Sequence, residues 1–239
     1  MSNASQQLQD NPLFTMTGLP PFSKITPAHV EPAVKAAIEL CRESIEQVLA
    51  QGAPYTWDSL VTPLEESDDK LNRIFSPVSH LNGVLNSEDL RQAYEACLPA
   101  LSEYSTWVGQ NADLYQAYQQ LADSAEFRQL TSVQQKVVND ALRDFKLSGI
   151  ALAPEQQQRY GEISKRLSEL GSNFSNNVLD ATAGWTKVIN DEKQLAGLPQ
   201  SAIDAAKAMA QDKELDGYLF TLDFPSYLPV LTYADNAHF

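Results

Sequence analysis

Three histidines, His29, His80 and His238, are the first residues to weigh, because imidazole titrates near neutral pH and binds metals. No two of them lie at the three- or four-residue spacing that puts two ligands on one helix face, and no HExxH occurs. His29 falls in a first helical turn, His80 in a proline-flanked segment and His238 at the penultimate position, so each reads as a structural histidine rather than a ligand or a base. The acidic pairs Asp68 with Asp69 and Glu214 with Asp216 are too close in sequence to share a helix face, so they read as solvated charge. The run EESDD at Glu65–Asp69 lacks the alternating oxygen ligands and the glycine of a calcium loop. There is no Gly-rich phosphate loop, paired CxxC or GxSxG. No residue of the chain is thereby assigned a catalytic or metal-ligating role.

One polar cluster is harder to set aside. SNFSNN, residues 172–177, falls mid-way along a long helical pattern, although serine and asparagine are poor helix formers. Ser172, Asn173, Asn176 and Asn177 offer uncharged amides and a hydroxyl that suit contacts to a peptide backbone in a groove. The plainer reading is a polar helix face bonding locally or to a neighbouring helix.

A chain of 239 residues with 43% hydrophobic and 20% charged residues has the composition of a globular protein with a sizeable core. Its net charge of −14 repels phosphate backbones and anionic lipid, which argues against nucleic acid and membrane surfaces as partners and favours neutral or cationic ligands. Cys41 and Cys97 both fall at apolar helical positions, where a thiol acts as a small hydrophobe, and two such cysteines suit a reducing compartment. No signal-type apolar run opens the chain, so the expected location is the cytoplasm. Ser2–Ala4 reads as a cloning remnant.

The elements that would position any site are mostly helices. An irregular lead occupies residues 1–25. Thr26 with Pro27 then signals a helix start, and Val30, Val34, Ile38, Cys41, Ile45 and Val48 form one stripe until Gly52 and Pro54. Residues 56–85 continue the pattern through Leu60, Leu64, Leu71, Ile74, Val78 and Leu81, with Pro63 and Pro77 expected to kink or break it. A bent helix containing Pro99 should follow, then a shorter one over residues 111–127, then one opened by the Thr131–Gln134 capping box and running to Gly149. From Pro154, Tyr160, Ile163, Leu167, Leu170, Phe174, Val178 and Ala181 recur at an average step near 3.5, the value for helices packed side by side. Residues 26–183 are therefore expected to form a lobe of antiparallel helical hairpins.

Around Gly184 the pattern changes to short strands. WTKVI is β-rich, a small helix is expected at about Ser201–Lys213, and Tyr218–Phe224 alternates as a strand. A turn at Pro225 and Ser226 would return the chain through VLTY as a β-hairpin, which WTKVI could join in a sheet, in a segment spanning 184–239. Asp235 or Asn236 would cap a further helix, for which too few residues remain, so the chain reads as cut at that helix.

The stretches PPFSKITPAHVEPAV, IFSPVSHLNGVLNSEDLRQAYEACLPALSEYSTWVGQN, ALRDFKLSGIAL, RYGEISKRLSELGSNFSNNVLDAT and GYLFTLDFPSYLPVLTYADN together resemble the N-terminal part of the thimet-oligopeptidase family of zinc metallopeptidases. That resemblance implies a mainly α fold belonging to a larger, two-lobed zincin-type oligopeptidase whose channel admits short peptides. It also implies that zinc, held by an HExxH helix and a later glutamate, lies in a C-terminal catalytic part, with no cofactor bound by the present residues. On this reading the chain is one wall of the channel, inactive alone, with short peptides and the C-terminal part as partners. The alternative is a self-contained helical module that binds a partner protein.

Overall fold

The computed structural model describes residues 8–85 and 87–236; His238, Ser2–Ala4 and the end of the expected last helix lie outside them. The chain divides into two compact units, Met1–Glu169 and Leu170–Phe239.

In the first unit a short helix α1 (Pro12–Thr15) is capped by Asn11, whose side chain accepts from the Leu13 N–H. The Asn11 amide also donates to the carbonyl of His29 at 2.8 Å, which anchors this lead to the next helix. That helix, α2 (Pro27–Gln51), starts where the sequence signals it. Thr26 is extended and its N–H donates to His29 Nδ1 at 3.1 Å, so His29 acts as a helix cap. Its stripe is buried in full: Val30, Val34, Cys41, Ile45 and Val48 are all below a twentieth exposed, with Ile38 at 5%. Gly52, at φ +71°, ends it.

A single π-helical turn, Trp57–Val61, leads into α3 (Thr62–Val84), which packs on α2. The Trp57 N–H donates to the Glu126 carboxylate at 3.0 Å, tying the start of this segment to a distant loop. Pro63 sits in the first turn of α3, where its missing N–H costs nothing, and α3 continues through Pro77 without a break. The helix α4 (Glu88–Gly109) likewise continues through Pro99. Neither helix breaks at its internal proline: Pro77 is itself buried, as are Ile74, Val78 and Leu81 of the same helix, and this burial holds α3 across the lost bond.

Two shorter helices, α5 (Ala112–Asp123) and α6 (Ser132–Leu147), pack together, with Asn111 and the Thr131–Gln134 box as their caps. Tyr115 and Tyr118 of α5 both meet the ring of Phe145 on α6. All of these helices share one hydrophobic core. The helix α7 (Pro154–Gly184) is the longest, and the boundary between the two units falls within it.

The second unit is built on a two-stranded antiparallel sheet, β1 (Thr186–Ile189) against β2 (Tyr218–Thr221), in register Thr186 to Thr221 and Ile189 to Tyr218. Helix α8 (Gln200–Asp212) covers it through Ile203 and Ala206, which pack with Ile189, Leu195, Leu198 and Phe220. Gly217, at φ +94°, makes the turn into β2; a Cβ there would come within 2.5 Å of the Ile189 carbonyl oxygen.

One expectation is overturned here. VLTY is not the second strand of a hairpin but part of a helix, α9 (Phe224–Tyr233), and β2 pairs with the WTKVI strand instead. The reason lies in Asp223, extended at the N-cap position, followed by Pro225 in the first turn. The Thr221 N–H then donates to Ser226 Oγ at 2.9 Å, which closes the end of the strand onto the start of the helix.

Candidate functional site

The first unit holds an open recess of about 360 Å³ whose lining includes Glu65, Asp68, Tyr104, Tyr118, Asp144 and Ser148. Asp68, read in the sequence as solvated charge, lines it and accepts a hydrogen bond from the Tyr104 hydroxyl at 3.2 Å. Partial burial raises its carboxyl above the usual carboxylate range, with the bond from Tyr104 opposing. Arg42 lies 4.5 Å from the centre of the Trp107 ring and 5.7 Å from that of Tyr104, so this aromatic pair carries a cation. The Cys41 thiol donates to the Ser67 carbonyl at 3.2 Å, and burial raises its pKa. Burial pushes the Cys97 thiol up to about 11. Both thiols thus stay protonated at neutral pH and are poor nucleophiles. Among the described residues no three His, Cys, Asp or Glu side chains converge so as to hold a metal ion.

The other feature is α7. Its first half meets α4 through small and polar side chains. A Cβ on Gly161 would lie 3.4 Å from Thr106, the Lys165 ammonium is 3.6 Å from Glu103, and Gln157 bonds back to the carbonyls of Gly149 and Ile150. Between the helices runs a cleft of about 360 Å³ with five serines in its lining: Ser102, Ser105, Ser148, Ser164 and Ser168. Tyr160, the first residue of the apolar stripe of α7, lines this cleft, and the later residues of the stripe are exposed. Ile163, Leu167, Leu170, Phe174 and Val178 are 45%, 64%, 46%, 70% and 49% exposed. Sequence periodicity identifies this helix and this stripe; what it misses is the serine-lined contact with α4 along the first half of the helix.

The four polar residues singled out in the sequence lie along α7 after this contact. Ser172 is half-buried, Asn176 is 9% exposed, and Asn173 and Asn177 are exposed. They fall on two sides of the helix: Ser172 and Asn176 are one turn apart, as are Asn173 and Asn177.

The N-terminal domain profile of neurolysin/thimet oligopeptidase matches residues 34–157, from α2 into the first turn of α7. The chain belongs to this family. It is 65% identical over 226 residues to Oligopeptidase A of Escherichia coli, a match covering 95% of this chain and 33% of that protein. It is 33% identical over 236 residues to Probable cytosolic oligopeptidase A of Arabidopsis thaliana, covering 96% and 34%. A Dipeptidyl carboxypeptidase of Escherichia coli is 24% identical over 210 residues, covering 86% and 31%. The chain thus spans about a third of the length of the curated relatives it matches. As a mostly helical thimet-oligopeptidase N-terminal region with one small sheet, it corresponds to part of a larger oligopeptidase. No helix among the described residues is long and apolar enough to cross a membrane.

Proposed function

We propose that this chain is the N-terminal, non-catalytic portion of a zinc-dependent endopeptidase that hydrolyses short peptides, and that it forms one wall of the substrate channel. The observation that carries the proposal is the match to Oligopeptidase A over nearly the whole chain and only a third of that protein. The residues present do not fit a zinc site: His29 caps α2, His80 packs against Phe22, and no ligand cluster exists among the described residues. Any zinc belongs to the rest of the polypeptide, where it would activate water and polarise the scissile carbonyl. The role left for this chain is to confine and orient the peptide. Ser172, Asn173, Asn176 and Asn177 are the candidates for contacts to the peptide backbone, and the net charge of −14 favours basic peptides over acidic ones. The cytosol is the proposed location, in keeping with the name of the Arabidopsis relative.

The test is cleavage of a short quenched peptide by the full-length gene product and by the 239-residue chain. The full-length protein should cleave it, lose activity to a chelator and spare a folded protein substrate. The 239-residue chain should do nothing. Chelator-sensitive cleavage that copurifies with the short chain would overturn the reading, as would a full-length protein with no peptidase activity.

A further inference from the structure

We propose that the recess of the first unit is a binding site for a primary alkylammonium ion, held by Glu65, Asp68 and Tyr118. Every residue that lines it belongs to Met1–Glu169, so the site is formed within one unit. Its volume of about 360 Å³ falls in the range of small-molecule sites.

Three carboxylates, Glu65, Asp68 and Asp144, line the recess, and no Lys, Arg or His lines it among the described residues. Asp144 already carries Arg143 at 2.8 Å. Glu65 and Asp68 have no ion-pair partner among the described residues, although they stand one turn apart on α3, where like charges repel. A cation in the recess would relieve that repulsion.

Solvated carboxylates alone need no ligand, but Tyr118 beside them also lacks a partner. Only 7% of this side chain is exposed, its ring lies 5.8 Å from that of Phe145, and its hydroxyl makes no hydrogen bond with any described residue. A polar atom on a side chain so deeply buried is ordinarily paired. Burial raises the pKa of Tyr118, and the charges of Glu65 and Asp68 add to the rise, so its hydroxyl faces the space that these two carboxylates share.

The class of ligand follows from the acceptors. A primary ammonium has three N–H donors and no acceptor, and two carboxylates with one hydroxyl can receive all three. Leu64, Leu114 and Phe145, each less than a tenth exposed, offer apolar walls to an alkyl chain. A bare divalent ion suits the recess less, because among the described residues no three metal-ligating side chains converge. The same ammonium group is presented by a free amine and by a lysine side chain of a peptide.

The experiment titrates the isotopically labelled 239-residue chain by NMR with hexylammonium, with 1-hexanol and with the N-acetyl methylamide of lysine, at neutral pH in about 0.15 M salt, where diffuse attraction to the net charge is screened. Hexylammonium should shift the amides of Glu65, Asp68, Leu114 and Tyr118 saturably and bind about tenfold more tightly than hexanol. Glu65→Gln and Asp68→Asn should each weaken it about fivefold, and Tyr118→Phe about threefold. Tyr118→Phe deletes only an unpartnered hydroxyl, so this variant retains the fold. Asp69→Asn makes the same charge change on the next residue, which faces Arg73 instead, and should leave binding unchanged.

Binding of the lysine derivative alongside hexylammonium would support the proposal with a peptide side chain as the ligand, and binding of hexylammonium alone would support it with a free amine. The proposal is overturned if the shifts do not saturate, if hexanol binds as tightly, or if Tyr118→Phe changes nothing. A loss on Asp69→Asn equal to that on Asp68→Asn would overturn it in favour of general attraction to an acidic surface, and the same saturable shifts with magnesium alone would overturn it in favour of an inorganic ion.

Discussion

Helices α2 and α7 carry the same kind of apolar stripe and end in opposite situations. In α2 every residue of the stripe is buried, whereas in α7 those from Ile163 to Val178 are exposed. Periodicity fixes which residues share a face; whether that face is covered depends on elements that must be present to cover it. For α2 they are α3 and α4, which follow directly in the chain. For α7 no neighbouring element of the first unit covers Ile163 or Leu167, and both are exposed. The difference teaches that an amphipathic pattern names a helix face, while only the elements packed around that face decide whether it is buried.

The largest expected effect sets these two environments against each other. Leu121 is 0% exposed in the core of the first unit, so Leu121→Ala should cost about 3 kcal/mol. Phe174→Ala in the 239-residue chain should stay within about 0.5 kcal/mol, although it deletes the larger side chain. Urea unfolding followed by tryptophan fluorescence measures both. A Phe174→Ala cost approaching that of Leu121→Ala would mean that α7 is covered already, and the comparison would break.

The second prediction confines damage to the smaller unit. Gly217→Ala puts a side chain at φ +94° against the Ile189 carbonyl and should cost about 2 kcal/mol. Because the clash separates β1 from β2, amides of Thr186–Ile189 and Tyr218–Thr221 should exchange faster. Those of α2 and α3 should keep their rates, since their core is a separate cluster. Equal acceleration in both units would show that they unfold as one.

How far the sequence could be read follows the same line. The caps at Thr26 and Thr131 and the stripes of α2 and α3 were legible because local chemistry and tertiary packing agree there. The strand-to-helix switch at Asp223 was hidden. Alternation from Tyr218 to Phe224 outvoted a two-residue signal, the Asp223 cap and Pro225, which was read as a hairpin turn. The Asp68–Tyr104 bond was invisible because its partners are 36 residues apart and only the packing of α3 with α4 unites them. The contact of α7 with α4 was illegible for a different reason: serine and glycine at Gly161, Ser164 and Ser168 allow close approach to α4 without leaving a hydrophobic signature.

A third prediction uses pH to probe the larger core. Burial holds the Cys97 thiol up to about 11 and also raises Cys41, Tyr104 and Tyr118. A group whose folded pKa is raised binds its proton more tightly when folded, so its contribution is full below the unfolded value and disappears as pH climbs through the folded one. For Cys97 that window runs from the ordinary thiol range to about 11, and the loss is on the order of 2 kcal/mol. Thermal melts from pH 8 to 11 should therefore fall, and Cys97→Ala should flatten the slope. An unchanged slope would assign the alkaline loss to the tyrosines.

The smallest expected effect returns to α7 and asks what keeps it helical. Its ion pairs, Arg159 with Glu162 and Arg166 with Glu169, join exposed side chains one turn apart, and pairs of this kind add little because water already solvates both charges. Arg166→Gln should leave the unfolding midpoint unchanged within error. If so, surface ion pairing adds little to a helix whose only buried residue among those described is Asn176. A segment the length of residues 173–184 is marginal as an isolated helix in water. Amides of residues 173–184 in the 239-residue chain should then exchange orders of magnitude faster than those of α2, and adding the rest of the polypeptide should slow them. Slow exchange in the short chain would mean that α7 needs no covering partner to be stable, and its contrast with α2 would reduce to solvent exposure.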